Sequence, residues 1–251
     1  MKKVWRDASQ KTLRMKLRLA CVLLAALAFT GCKALPPMPV PIQDLGPSYK
    51  PTNVYRNSDV LPASVRRVAV LPLTMTHSAS DLEAGVETLE PVLYSELEKL
   101  KRFEVIPVTR INLQQWTGQN GWRSDEQLPP DLFKRVSEMT GCDAVLFCQL
   151  TRYQPYQPLA VGWKFTLVET HNPGIMTPSD VRAKILWSAD ELMDAGDPPV
   201  TTGARAYYTQ HLRNDAASAD PATVLASPAR FGQYTLATVL ATIPNRFGEK
   251  H

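Results

Sequence analysis

The chain has few of the residues on which enzyme chemistry most often depends. Its 251 residues include four histidines and four cysteines, and the histidines share no metal-ligand spacing with each other or with the cysteines. The GxSxG, P-loop and HExxH motifs are absent, and no GxGxxG follows a predicted strand. We therefore predict a chain that is not an enzyme, with no catalytic residue, no metal site and no free cofactor. The histidines are His77, His171, His211 and His251.

Long apolar runs and an excess of positive charge are both missing after residue 31. No later stretch reaches the roughly 18 apolar residues of a membrane-spanning helix. The formal net charge of the whole chain is +4, but residues 1–31 hold seven basic residues and one acidic residue. The remaining 21 basic and 23 acidic residues give a net charge near −2. This balance does not favour nucleic acid as a partner, which requires a clustered basic surface.

Residues 15–32 have the three parts of an export signal. Two basic residues come first, residues 19–29 form an apolar run, and small residues precede Cys32. The sequence at the end of this stretch resembles the lipobox of bacterial lipoproteins. That resemblance implies cleavage after Gly31 and attachment of diacylglycerol and an N-acyl chain, such as palmitate, to Cys32. Residues 1–31 would then be the signal peptide, with Met15 as a candidate true start; the alternative is an ordinary signal peptide with an incidental cysteine.

A proline-rich tether is predicted next. Residues 33–65 contain seven prolines and no helical or strand period. As an extended polyproline chain these residues would span about 100 Å, less if Tyr49, Val54 and Tyr55 dock on the domain. We expect residues 32–65 to be the lipidated cysteine and tether, and residues 66–251 to form a single periplasmic domain.

The periodicity of the domain predicts the order β-α-β-α-β, then two antiparallel strands, then a helix. We therefore expect an α/β (α+β) fold with one mixed sheet of about five strands. A capping box at Ser80 and Glu83 predicts the start of the first helix. Ser227 and Pro228 predict the start of the last helix within a helical extension at 191–251. The predicted strands are 68–71, 103–108, 144–150, 159–167 and 181–187, and the main helices are 82–100, 131–140 and 228–243.

Aromatic side chains in two regions are candidate interface residues. Trp116 and Trp122 stand in a loop region, and Phe231 and Tyr234 lie a turn apart on the last helix. Aromatic residues are enriched at protein interfaces. The alternative is that these side chains pack on their own domain.

Two further groups are interpreted as structurally ordinary. Cys142 and Cys148 are predicted on one face of one strand, about 20 Å apart, too far for a disulfide. The acidic residues that follow the last predicted strand are interpreted as solvated loop charges. They are Asp190, Glu191, Asp194 and Asp197.

The predicted strands carry a resemblance to a known family. Residues 67–73, 103–108 and 141–146 resemble strands of the periplasmic domain of the curli-secretion lipoprotein CsgG. The same fold is similar to that of the Pel-secretion lipoprotein, the lipoproteins that activate penicillin-binding proteins, and the amino-terminal domain of the Tol-associated propeller protein. The resemblance covers roughly residues 66–190.

The resemblance implies a non-enzymatic lipoprotein on the periplasmic face of the outer membrane of a Gram-negative bacterium. Its expected role is that of an accessory or scaffold in envelope assembly or export. Lys33, directly after the lipidated cysteine, favours the outer membrane by the same resemblance. The expected partners are the outer membrane and either further copies in a ring or another envelope protein. The alternative is an envelope hydrolase or ligand-binding lipoprotein with a site built from loops.

Overall fold

The computed structural model describes residues 48–170, 178–211 and 221–246. The strands are β1 (Val54–Arg56), β2 (Arg67–Val70), β3 (Thr74–Met75), β4 (Glu104–Pro107), β5 (Ala144–Gln154), β6 (Ala160–Glu169) and β7 (Ile185–Asp194). The helices are α1 (Ser80–Leu100), α2 (Arg110–Thr117), α3 (Leu132–Thr140), α4 (Pro178–Ala183), α5 (Pro198–His211) and α6 (Pro228–Leu240). A 3-10 helix covers Pro221–Ala226.

One mixed sheet contains all seven described strands. Its order is β1-β7-β6-β5-β2-β4, and β3 pairs with the end of β5. Strands β2, β4 and β5 are parallel, as expected for strands joined by helical crossovers. Strands β5, β6, β7 and β1 are antiparallel neighbours. The predicted α/β class and mixed sheet are confirmed, while the sheet has seven strands instead of about five because β1 and β3 join it.

Each face of the sheet is covered by its own apolar layer. Side chains of β5 alternate between the layers, with Leu146 and Cys148 in the first and Val145 and Phe147 in the second. Helices α1, α5 and α6 contribute to the first layer, and α2 and α3 to the second. A strand buried on both faces has no polar alternation, which explains the continuous apolar run of β5.

The two cysteines lie in different layers. Cys142 packs in the second layer, and Cys148 packs in the first. Both are buried and free, and burial raises the pKa of each thiol. The prediction that they share one strand face is wrong, because Cys142 precedes β5 and an even spacing holds only along a regular strand.

The structure tests the two predicted helix caps, at the starts of α6 and α1. Ser227 accepts a hydrogen bond from the backbone N–H of Arg230, and Pro228 occupies the first turn, so the predicted cap of α6 is confirmed. The predicted capping box of α1 is wrong. Ser80 is itself helical, and the residue before it, Ala79, has no side chain that can cap. Pro91 lies within α1 and does not end it.

The last strand differs most from its prediction. Residues 178–183 form α4, and β7 begins at Ile185 and continues to Asp194, beyond the predicted end at residue 187. Pairing with the ten residues of β6 extends it, since hydrogen bonds to a long neighbour stabilise a strand along its length. Three of the four acidic residues assigned to a loop, Asp190, Glu191 and Asp194, therefore lie on β7. No helix in the described ranges is long and apolar enough to cross a bilayer.

Gly85 on α1 gives a test of packing against helix propensity. A Cβ at this position would stand 2.6 Å from Cγ and 2.9 Å from Cβ of Tyr153. Propensity alone predicts that Gly85→Ala stabilises the helix by about 1 kcal/mol. We expect overpacking to outweigh it, with a net loss of about 1–3 kcal/mol in the free energy of unfolding.

Urea denaturation of Gly85→Ala measures this, with Ser95→Ala as the control on an exposed position of the same helix. The control should be neutral or slightly stabilising. A Gly85→Ala protein as stable as its parent would contradict the packing described for α1.

Candidate functional site at the N-terminal segment

The second half of the predicted tether is part of the domain. Strand β1 pairs with β7, and Tyr55 stands opposite Ser188. Before β1, the Tyr49 N–H donates to the Pro199 carbonyl at 3.0 Å. After β1, Leu61 and Val65 are buried in the first apolar layer. The domain therefore begins earlier than the predicted residue 66, because residues 48–65 add an edge strand and apolar side chains to it.

The side chain of Glu191 binds this N-terminal segment through hydrogen bonds. It lies on β7 opposite Trp163 of β6 and is 4% exposed. One carboxylate oxygen accepts hydrogen bonds from the backbone N–H groups of Thr52 at 2.5 Å and Asn53 at 2.6 Å. The other oxygen accepts from the Tyr49 hydroxyl. The prediction of a solvated loop charge is wrong for this residue, which points inward on an alternating strand.

The three hydrogen bonds replace those that this carboxylate loses when it is removed from water. A buried charge costs several kcal/mol unless donors replace its hydration. Burial, and then the hydrogen bond and charge of Glu191, raise the pKa of Tyr49 above its ordinary value. The Tyr49 hydroxyl thus stays protonated and able to donate. The N-terminal segment and the carboxylate stabilise each other, and neither is satisfied alone.

A second set of contacts joins the segment to the C-terminal end of the domain. Arg56 Nε donates to the Thr242 carbonyl at 2.8 Å, and the Leu61 N–H donates to the Asn245 carbonyl at 2.8 Å. The Trp187 indole N–H donates to the Thr242 hydroxyl at 3.1 Å. The chain on both sides of β1 is therefore held, which fixes where it leaves toward residue 47.

Of the four candidate interface aromatics, three are enclosed by their own domain. Trp122 is 5% exposed and donates its indole N–H to Thr117, while Phe231 and Tyr234 lie in the first apolar layer. Trp116 is half-buried. The two tryptophans belong to the second layer, on the opposite face of the sheet from α6. A partner would touch the three buried side chains only after local unpacking, whereas an interface role for Trp116 stays a prediction.

The loop that carries Trp122 is fastened to the sheet by polar contacts. Lys164 Nζ lies 3.0 Å from a carboxylate oxygen of Asp125, and the Thr166 hydroxyl donates to Ser124 at 2.9 Å. Burial alone would raise the pKa of Asp125, but the hydrogen bond and charge of Lys164 outweigh it and lower that pKa. This pair favours the docked loop at neutral pH, and its contribution is lost as the pH falls through the lowered pKa.

Other candidate sites are small or undeveloped in the described part of the chain. A depression of about 20 Å³ lies between residues 57–58 and 60–62, Leu186 and Pro244. Ligand pockets usually measure about 300–1,000 Å³. No group of three or more His, Cys, Asp or Glu residues among the described positions could hold a metal ion. The predicted absence of a metal and of a free cofactor stays a prediction. The side chains of three histidines, His171, His211 and His251, lie outside the described residues.

No family model matches the chain, and a search of curated proteins found no match. Among solved structures, the chain is similar to the PelC dodecamer from Paraburkholderia phytofirmans, with 13% identity over 77% of this chain and 98% of that chain and a TM-score of 0.42. Lipoprotein GNA1162 from Neisseria meningitidis has 18% identity over 62% and 100%, with a TM-score of 0.37. The C-terminal domain of LpoB from Salmonella enterica has 16% identity over 51% and 81%, with a TM-score of 0.30.

These TM-scores are all below 0.5, so the similarities carry no argument about the role of this chain. A likeness to CsgG or to the Tol-associated propeller domain remains a resemblance of short strand sequences. What the sequence alone missed was Glu191. The alternation of Trp187, Ala189 and Met193 continues through it, and that signal would have placed it on the inner face.

Glu191→Ala tests the docking site. The change leaves the Tyr49 hydroxyl and the Thr52 and Asn53 N–H groups without their acceptor, so we expect a loss of about 1–3 kcal/mol in stability. We also expect amides of residues 52–57 to exchange about tenfold faster or more in hydrogen-exchange mass spectrometry, since local opening becomes easier.

Two variants serve as controls for this experiment. Glu191→Gln keeps a carbonyl oxygen for the two backbone donors and should have an intermediate effect. Asp190→Ala removes the exposed neighbouring carboxylate and should leave exchange in β1 unchanged. Equal protection of the β1 amides from hydrogen exchange in Glu191→Ala and its parent would show that Glu191 does not hold the N-terminal segment.

Trp122→Ala distinguishes packing from assembly for the two tryptophans, of which Trp116 lies on α2 and not in the predicted loop. Removing a buried tryptophan should cost about 3–5 kcal/mol and lower the melting temperature. Trp116→Ala, at the half-buried neighbour, should cost less. Thermal melts and sedimentation measure both effects, and a Trp122→Ala protein of unchanged stability and reduced oligomer size would reverse the assignment.

Proposed function

We propose that the chain is a non-enzymatic lipoprotein on the periplasmic face of the outer membrane, an accessory or scaffold in envelope assembly or export. The observation that supports this proposal is the sequence of residues 15–32, which has the pattern of an export signal ending at Gly31 and Cys32. It is followed closely by a segment that docks on the domain. A lipid on Cys32 would anchor the chain, and the Glu191 site would hold the chain where it reaches the domain.

Because the chain from Tyr49 onward is docked on the domain, the tether is shorter than the sequence predicts. Only 16 residues, 33–48, separate Cys32 from Tyr49. At about 3.1 Å per residue for a proline-rich chain, they reach about 50 Å. This is half the reach expected for a tether of 33 residues. The domain is therefore held close to the membrane, which suits a protein that presents surfaces to other envelope components there.

The described side chains support a scaffold more than a catalyst. The buried carboxylates of Glu191 and Glu96 are both hydrogen-bonded within the fold, Glu96 to Lys99 and Gln233. Catalytic groups are more often set in a cleft with split environments. The alternative of a hydrolase or ligand-binding protein requires a deep pocket, and the depression of about 20 Å³ does not favour it.

The partner is proposed to be either further copies of the chain or another envelope protein. A ring would need two different surfaces on each copy, because ring contacts are heterologous. Trp116 on one face of the sheet and the half-buried outer side of α6 on the other supply two candidate surfaces. Native mass spectrometry of the detergent-solubilised protein measures whether copies associate.

Cys32→Ala tests the anchor. We expect the parent protein to fractionate with the outer membrane and to carry the mass of its acyl chains, and the variant to lose both, because the lipid supplies the membrane affinity. Globomycin, which blocks cleavage of lipidated precursors, should make the precursor of the parent protein accumulate.

Cys21→Ala is the matched control, since it changes a cysteine within the predicted signal peptide. Its localisation and mass should equal those of the parent. A Cys32→Ala protein that still pellets with the outer membrane would count against the proposal.

A further inference from the structure

We propose that one end of the domain rests on the membrane surface, with Tyr156 entering the lipid headgroup region. This end, here named the tether end, consists of residues 48–51, the end of β5 with the β5–β6 turn at 152–159, and the end of β7 with the start of α5 at 190–199. The proposal rests on the lipid anchor of the proposed function and adds to it a second, protein-made contact with the same bilayer.

Backbone contacts bring the three parts of the tether end together. The Tyr49 N–H donates to the Pro199 carbonyl at 3.0 Å, and the Ala195 N–H donates to the Leu159 carbonyl at 2.7 Å. A Cβ at Gly196 would lie 3.9 Å from Cβ of Pro158. The first described residues of the chain therefore lie beside the tip of the β5–β6 hairpin.

The tether end exposes apolar side chains that contribute little to the fold. Tyr156 at the hairpin tip is 77% exposed, more than any other large apolar side chain in the described ranges. Leu192, near the end of β7, is 54% exposed, and Pro158, Pro198 and Pro199 are also exposed. A tyrosine combines an apolar ring with a polar tip and so suits the membrane interface.

The charges of this end exclude an electrostatic contact. Lys50 and Arg152 are opposed by the carboxylates of Asp190, Asp194 and Asp197. Binding to anionic lipid requires a cluster of basic side chains, and this end has a slight excess of acidic ones. The chemistry that fits is insertion of an aromatic side chain into a largely zwitterionic surface.

The anchor explains why so small a contact suffices. A single aromatic side chain binds membranes too weakly to hold a soluble protein. A short tether raises its effective concentration at the bilayer. The opposite end of the sheet lies farther away by the length of β6, about 33 Å for its ten residues. The tether end is thus the part of the domain that the lipid can hold closest to the surface.

A site-specific fluorophore tests the contact in the lipidated, full mature protein. Cys142 and Cys148 are 4% and 1% exposed, so a thiol-reactive NBD label reacts with an introduced cysteine. Tyr156→Cys places the label at the hairpin tip, Leu192→Cys gives a second reporter, and Ile111→Cys is the control. Ile111 is 68% exposed on α2, which follows β4 at the edge of the sheet opposite β1.

The labelled proteins are reconstituted into phosphatidylethanolamine vesicles with a minor share of phosphatidylglycerol, with and without brominated phosphatidylcholine. We expect blue-shifted emission and about twofold quenching at position 156, a smaller effect at 192 and none at 111, because only an interfacial label meets the brominated chains. Raising the salt concentration should change nothing.

Each other outcome overturns the proposal. Equal responses at 156 and 111, or none at 156, would place the tether end away from the bilayer. Quenching that needs anionic lipid and disappears in salt would indicate an electrostatic contact. The mass of the purified protein is measured separately, so a missing acyl chain would refute the anchor and would not be mistaken for a missing Tyr156 contact.

Discussion

The burial of the Glu191 carboxylate is the constraint on which the edge of this domain depends. A charge taken out of water must be met by donors, and its three donors come from Tyr49, Thr52 and Asn53. The N-terminal segment is therefore required at this place. Once it is held, β1 pairs with β7, and the residues after it bring Leu61 and Val65 into the first apolar layer.

This arrangement would join the proposed membrane anchor to the body of the domain. The segment is fixed at Glu191, then at Thr242 through Arg56, and then at Asn245. A pull on the tether is transmitted to β7, a strand that pairs along most of its length with β6. We regard this as the physical basis of the proposed accessory role, in which a rigid domain is held within about 50 Å of a lipid.

The two apolar layers decide which side chains remain free for partners. Because both faces of the sheet are packed, Phe231 and Tyr234 lie on the buried face of α6, and Trp122 is buried beneath its own loop. Large apolar side chains that stay exposed sit instead at the hairpin tip, on the outer end of β7 and on α2 and α3. They include Tyr156, Leu192, Ile111 and Met139. Aromatic residues met in a sequence are thus a poor guide to an interface, since core packing uses the same residue types.

The sequence by itself determined the α/β class, the periodic helices α1, α3 and α6, and the alternating strand β6, because each depends on local pattern or a local cap. The export signal stays a prediction from the same kind of local pattern. Tertiary structure decided β1 and β3, of three and two residues, which exist only because a longer strand offers them hydrogen bonds. It also decided how far β7 extends and why Glu191 is buried. The donors that stabilise this carboxylate lie 138 to 142 residues away along the chain, and no local pattern contains a contact of that range.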